Sequence, residues 1–108
     1  RVVRFPEQSV GWVYFRRVGD RTETHVKAKG LVTIPAGLVA TLTLSGAATD
    51  QGLEFLTKLQ PDQLQGLILA NLEIGDQHIK YLRNLKGLTK LDISSTDITD
   101  NGLAQLIT

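Results

Sequence analysis

The sequence contains no cysteine, which excludes disulfides, thiol nucleophiles and zinc–cysteinate sites and leaves the cellular compartment open. Methionine is absent too, so Arg1 is not expected to be a translation start; a processed product or a domain of something longer is the natural expectation. No apolar run approaches the roughly 18 residues that a membrane span requires, and no signal-peptide pattern opens the chain. G-x-S-x-G, H-E-x-x-H, phosphate-loop and dinucleotide-binding fingerprints are all missing, so no catalytic residue, cofactor or metal is expected and the chain reads as a non-enzyme. His25 and His78 are far apart in sequence without clustered partners, which argues against a metal site. Charge of one sign is also scarce overall, with a net of +1, but it is unevenly spread. Residues 1–29 carry seven basic side chains (Arg1, Arg4, Arg16, Arg17, Arg21, Lys27, Lys29) against Glu7, Asp20 and Glu23, a net of +4. The remainder carries five basic and eight acidic side chains, a net of −3.

Leucine is abundant: 17 of 108 residues, all from Leu31 onward. The last segment reads Leu88-x-x-Leu91-x-Ile93-x-x-Thr96-x-Ile98-x-Asp100-x-x-Leu103-x-x-Leu106. The one before it reads Leu64-x-x-Leu67-x-Leu69-x-x-Leu72-x-Ile74-x-Asp76-x-x-Ile79-x-x-Leu82, and every apolar position and the aspartate match at an offset of 24. A slightly compressed copy lies upstream in Val39, Leu42, Leu44, Ala47, Asp50, Leu53, Leu56 and Leu59. Repetition at one offset is the signature of stacked units that share a core. Within each copy the L-x-L element alternates with period two, the mark of a strand, so Leu67 and Leu69 point inward and Gly66, Ile68 and Ala70 outward. The D-x-x-L-x-x-L element reads as a helix, with the aspartate placed to cap it. Pro61 then follows the first helix without disturbing it, and Gly87 is placed to turn the chain toward the third strand.

The run LKGLTKLDISSTDITDNGLAQL resembles leucine-rich repeats of the type L-x-x-L-x-L-x-x-T-x-I-T-D-x-G-L-x-x-L, common in bacterial repeat proteins and akin to the cysteine-containing subclass. The resemblance covers about residues 39–108. It implies a curved solenoid with a parallel sheet on its concave side, used mainly for protein–protein recognition. The sequence departs from that pattern at the turn position, which holds Ala47, Leu72 and Thr96, and at His78, where the pattern has glycine.

Residues 1–37 do not fit the repeat. Val26 to Pro35 alternates cleanly and Val10 to Val18 reads as a second strand, with Gly19-Asp20 and Pro35-Ala36-Gly37 as turns. These strands are expected to form a small β-cap over the exposed edge of the first repeat. The run GLVTIPAGLVATLTLS is similar to segments that precede repeats in some bacterial proteins.

Two surfaces could carry function. The outward strand positions Thr41, Thr43, Ser45, Gly66, Ile68, Ala70, Lys90, Asp92 and Ser94 would form the concave face, although these side chains lack the aromatic and arginine anchors of binding hot spots. The strand around Trp12, Tyr14, Phe15, Arg16 and Arg17 interleaves aromatics with arginine, a composition able to stack on bases or grip an anionic partner. Asp50, Asp76 and Asp100 lack the spacing of a calcium loop and are read as helix caps. Lys80, Arg83 and Lys86 are read as a solvated helix face.

The sequence thus predicts an α/β fold, a leucine-rich-repeat solenoid of about three strand–helix units (38–62, 63–86, 87–108) with an N-terminal β-cap over residues 1–37. The predicted function is a protein-interaction module. A polyanion or nucleic-acid binder acting through the basic head, and a structural fragment of a longer repeat protein, are the alternatives. The expected partner is another protein rather than nucleic acid. Leu103, Leu106 and Ile107 raise the further expectation of self-association through an uncovered C-terminal edge.

Overall fold

Apolar alternation decides the layout of the chain. A computed structural model describes residues 1–46, 48 and 52–107, the side chain of residue 107 excepted, and the expectations on Ala47, Asp50, Ile107 and Thr108 lie outside the described residues. Seven strands are described: β1 (Val2–Arg4), β2 (Gly11–Arg17), β3 (Thr24–Lys27), β4 (Leu31–Thr33), β5 (Leu38–Leu44), β6 (Gly66–Ile68) and β7 (Lys90–Asp92). Among the described residues they are joined by short 3-10 helices at Glu54–Lys58 and Asp76–Tyr81 and followed by the α-helix α1 (Asp100–Ile107). The order in the main sheet is β3-β2-β5-β6-β7, antiparallel across β3-β2-β5 and parallel across β5-β6-β7; β1 and β4 form a separate antiparallel pair.

The repeat offset fixes the parallel register. Leu42 pairs with Leu67 and Leu67 with Leu91, so equivalent leucines stand side by side on the inner face. Leu42 and Leu67 are fully buried, together with Val13 on β2, and Leu69, Ile74 and Ile79 beyond them. Burying one such side chain is worth about 1.5–3 kcal/mol. Leu91 packs against the same core and is half-buried, because β7 is an outer strand. The left-handed turn after the strand also repeats: Asn71 and Ser95, 24 residues apart, both take positive φ (64° and 57°).

The predicted solenoid of strand–helix units does not describe the molecule. Its extents are 35 × 28 × 23 Å and its radius of gyration 13.3 Å, about that of a globular domain of this length. The N-terminal strand β2 covers the exposed edge of the first repeat by joining its sheet. β2 pairs with β5 over seven residues, from Gly11 opposite Leu44 to Arg17 opposite Leu38, so it continues the same sheet and makes it mixed. The alternating run from Val26 to Pro35 is split between two sheets. Gly30 takes a positive φ of 59°, which breaks the strand and sends β4 to pair with β1.

The first two expected helices are short 3-10 helices, and the spacing explains why. Leu53, Leu56 and Leu59, and likewise Ile79, Leu82 and Leu85, recur every three residues with no apolar partner at the fourth. A 3-10 helix eclipses such positions in one line, whereas an α-helix would fan them round its axis. All six side chains are buried, and the N–H groups of Leu56, Leu59, His78, Leu82 and Leu85 each donate to the carbonyl three residues back. The third copy adds an apolar residue at the fourth place, Ile107 after Leu103, and there the helix is α.

The aspartate also does something other than cap its own helix. Asp76 opens the second 3-10 helix, and its carboxylate accepts from the Thr99 N–H (2.8 Å) and hydroxyl (2.5 Å) of the following unit. The N–H of Gly75 instead donates to His78 Nδ1 (3.0 Å), so the residue that departs from the repeat pattern supplies the cap. Gly102 is buried against the Asp76 carboxylate, in space a β-carbon would occupy. Gly87 likewise lies where a β-carbon would press on the Pro61 carbonyl, which accepts its N–H at 2.8 Å.

Candidate protein-binding face

Residues paired across neighbouring strands lie on the same side of a sheet. The register therefore assembles two rows on the outer face: Lys27–Trp12–Thr43–Ile68–Asp92 and His25–Tyr14–Thr41–Gly66–Lys90. The two surfaces that the sequence offers as rivals are one surface. The repeated strands contribute small or bland side chains, with Thr41, Thr43, Ile68, Ala70 and Asp92 half-buried and Lys90 and Ser94 exposed. β2 contributes the anchors. Trp12 remains 38% exposed, Arg16 is exposed and Tyr14 is half-buried.

His25 completes the cluster. Its ring lies 5.3 Å from Trp12, nearly edge-on at 68°, and 5.5 Å from Tyr14, so one imidazole bridges two aromatic neighbours. The sequence gives this residue no role, because it sits on another strand. The hairpin register, Tyr14 opposite His25 and Trp12 opposite Lys27, brings it in.

Three expected members fall elsewhere. Arg17 pairs with Leu38 and points to the opposite side from Trp12, Tyr14 and Arg16, so the two arginines do not act together. Phe15 pairs with Ala40 and packs against the core. Val10, which simple alternation puts beside Trp12, is fully buried. The cause is a bulge: the Ala28 N–H donates to Gly11, while the Ala28 carbonyl accepts from Val10, so two residues oppose one and the alternation shifts. Gly11 bears the strain with φ of 152°, and a β-carbon there would collide with the Thr43 carbonyl. Ser45, at the far end of β5, is exposed and ties back to the Val10 carbonyl through its N–H (2.9 Å) and hydroxyl (3.3 Å).

The electrostatics are mixed. Asp92 sits on the face with its carboxyl held below the usual range by the Ser94 N–H (3.0 Å), the Ser94 hydroxyl (2.7 Å) and the charge of Lys90. At the end of the Tyr14 row a hollow of about 160 Å³ opens, lined by Arg16, Glu23, Thr41, Gln65, Gly66 and Lys90 among others. Among the described residues no group of three or more His, Asp or Glu side chains could hold a metal ion, and no helix is long and apolar enough to cross a membrane.

No protein-family model matches the sequence, and no solved structure matches it significantly. Over 82 residues the chain is 38% identical to the NACHT, LRR and PYD domains-containing protein 4C of Mus musculus, a match that covers 69% of this chain and 8% of that protein. The chain therefore spans less than a tenth of the length of the curated relative it matches, and its sequence is similar to part of a protein that carries leucine-rich repeats.

Proposed function

We propose that the outer face of the five-stranded sheet is a protein-binding surface and that the chain is a non-catalytic interaction module. The observation that carries this reading is the pair of adjacent cross-strand rows that sets an exposed Trp12, with Tyr14 and His25, beside the blander strands β5 to β7. Tryptophan, tyrosine and arginine are the side chains on which interface energy concentrates, and a ring of small neighbours excludes water around them. The similarity to a protein with leucine-rich repeats supports a role in protein recognition. The finer assignment of the repeated sequence to the bacterial type rests on the motif in residues 88–106. A polyanion-binding face is less favoured, since Arg17 points away and Asp92 and Glu23 stand in or beside the surface.

Selection of a random peptide library on the immobilised chain tests the proposal. Selected peptides are expected to bind the Trp12→Ala, Tyr14→Ala double variant at least about 30-fold more weakly, the loss that a hot spot of ~2 kcal/mol implies. Its melting temperature should stay close to that of the parent, because Trp12 contributes little to the core. Peptides that bind parent and variant equally would place recognition elsewhere.

A further inference from the structure

The hollow beside the aromatic cluster has a composition that selects a partner. Its floor is Gly66, the first residue of β6, an interior strand of the sheet. A β-carbon at that position would stand 2.6 Å from the Thr41 hydroxyl oxygen, so the missing side chain is what keeps the recess open. Two cations flank it from different strands, Arg16 on β2 and Lys90 on β7, and both are exposed. The neighbouring amide is already engaged: Gln65 Oε1 accepts from the Ala40 N–H (2.8 Å) and Arg1 (3.0 Å), and Gln65 Nε2 donates to the Asp62 carbonyl (2.8 Å). Arg16 donates no side-chain hydrogen bond among the described residues and is left to face an incoming group. A volume of about 160 Å³ is that of roughly five waters, room for one short side chain and some of its hydration.

We infer that this recess is the seat for a single carboxylate side chain of an acidic peptide segment, whose adjoining apolar residue packs on Tyr14 and Trp12. The inference rests on the protein-binding reading and names the chemistry of the partner. A planar guanidinium suits a carboxylate, and a lysine on the far wall adds a second charge-assisted contact. One carboxylate fits better than a continuous polyanion. Glu23 lines the same hollow, and Asp92 lies two residues from Lys90 on the same face, so a run of phosphates entering the seat would meet like charge on two sides.

The test uses the intact chain with two synthetic peptides, taken from the library selection and identical except for Glu or Gln at the acidic position. Inorganic phosphate and a single-stranded DNA oligonucleotide serve as further probes. The Glu peptide is expected to bind about tenfold more tightly than the Gln peptide, and Arg16→Gln or Lys90→Gln should each remove most of that advantage. Both positions are exposed, so the variants should fold, and a circular dichroism melt confirms it. Equal affinity for the two peptides overturns the carboxylate seat. So does an advantage that survives both substitutions, a selection without acidic residues, or a selection that yields no binder. Tight binding of DNA or phosphate that is lost in the same variants overturns it in favour of a polyanion site. If the Trp12→Ala, Tyr14→Ala variant loses peptide while the charge variants do not, the binding face stands and only the seat fails.

Discussion

The periodic and non-periodic parts of this chain contribute different things to the same sheet. From β5 to β7 the period dictates which leucines meet in the core, and the outward positions are, Ile68 apart, small or singly charged. β2 and β3 have no period, bury less, and carry the tryptophan, tyrosine, histidine and arginine of the outer face. Repetition here specifies register and burial, and the irregular strands supply the chemistry.

The comparison is most severely tested in the core. Leu67→Ala should destabilise the fold by about 2–5 kcal/mol through lost transfer energy and an unfilled cavity, while Leu91→Ala, at the equivalent but half-buried position, should cost clearly less. Chemical denaturation of both variants checks this, and equal losses would mean that the outer strand is as deeply buried as the central one. A smaller loss is expected where the irregular part joins the periodic one. Gly11→Ala forces a β-carbon onto the Thr43 carbonyl at a backbone conformation side chains rarely adopt, for a cost of about 1–3 kcal/mol. Its denaturation midpoint, read beside that of Gly19→Ala in an open turn, separates the collision from the backbone preference, since nothing crowds Gly19.

The smallest effect links two periodic units. The Thr99 hydroxyl, then the Thr99 N–H, hold the Asp76 carboxyl below its ordinary range. A depressed folded value means that the contribution is complete above the unfolded value of about 4 and is lost as the pH falls through the folded one. The melting temperature of the parent should therefore exceed that of Asp76→Ala by a few degrees at neutral pH, and the gap should close below about pH 4. A gap independent of pH would show that the carboxylate charge is not what the threonine reads.

Much of this was legible in the residues and some was not. The offset of 24 gives the parallel register of Leu42, Leu67 and Leu91, because a period-two strand admits one alignment that keeps leucine inside. The strict spacing of three in Ile79, Leu82 and Leu85 holds the signal for a 3-10 turn rather than an α-helix, and the 3-10 helix ends at Tyr81, just before Leu82. The solenoid failed for a different reason. Nothing in the alternation of residues 11–17 says that this strand covers the edge of β5 as a hydrogen-bonded member of the same sheet and so makes the sheet mixed. For the outer face, Trp12, Tyr14, Arg16, Thr41, Thr43, Ile68, Lys90 and Asp92 could be read from alternation alone. Their union into one surface and the place of His25 needed the hairpin register, and the loss of Val10 from that face needed the bulge at Gly11.

The placement of Trp12 also determines what an optical experiment on this chain observes. It is the single tryptophan, and it stands on the outer face, a third exposed and next to an imidazole, rather than in the leucine core. Its fluorescence therefore reports occupancy of the face and the integrity of the β2–β3 hairpin. Loosening of the leucine core beneath β6 and β7 would pass almost unseen in the emission spectrum, so an apparently intact signal should be read as an intact hairpin.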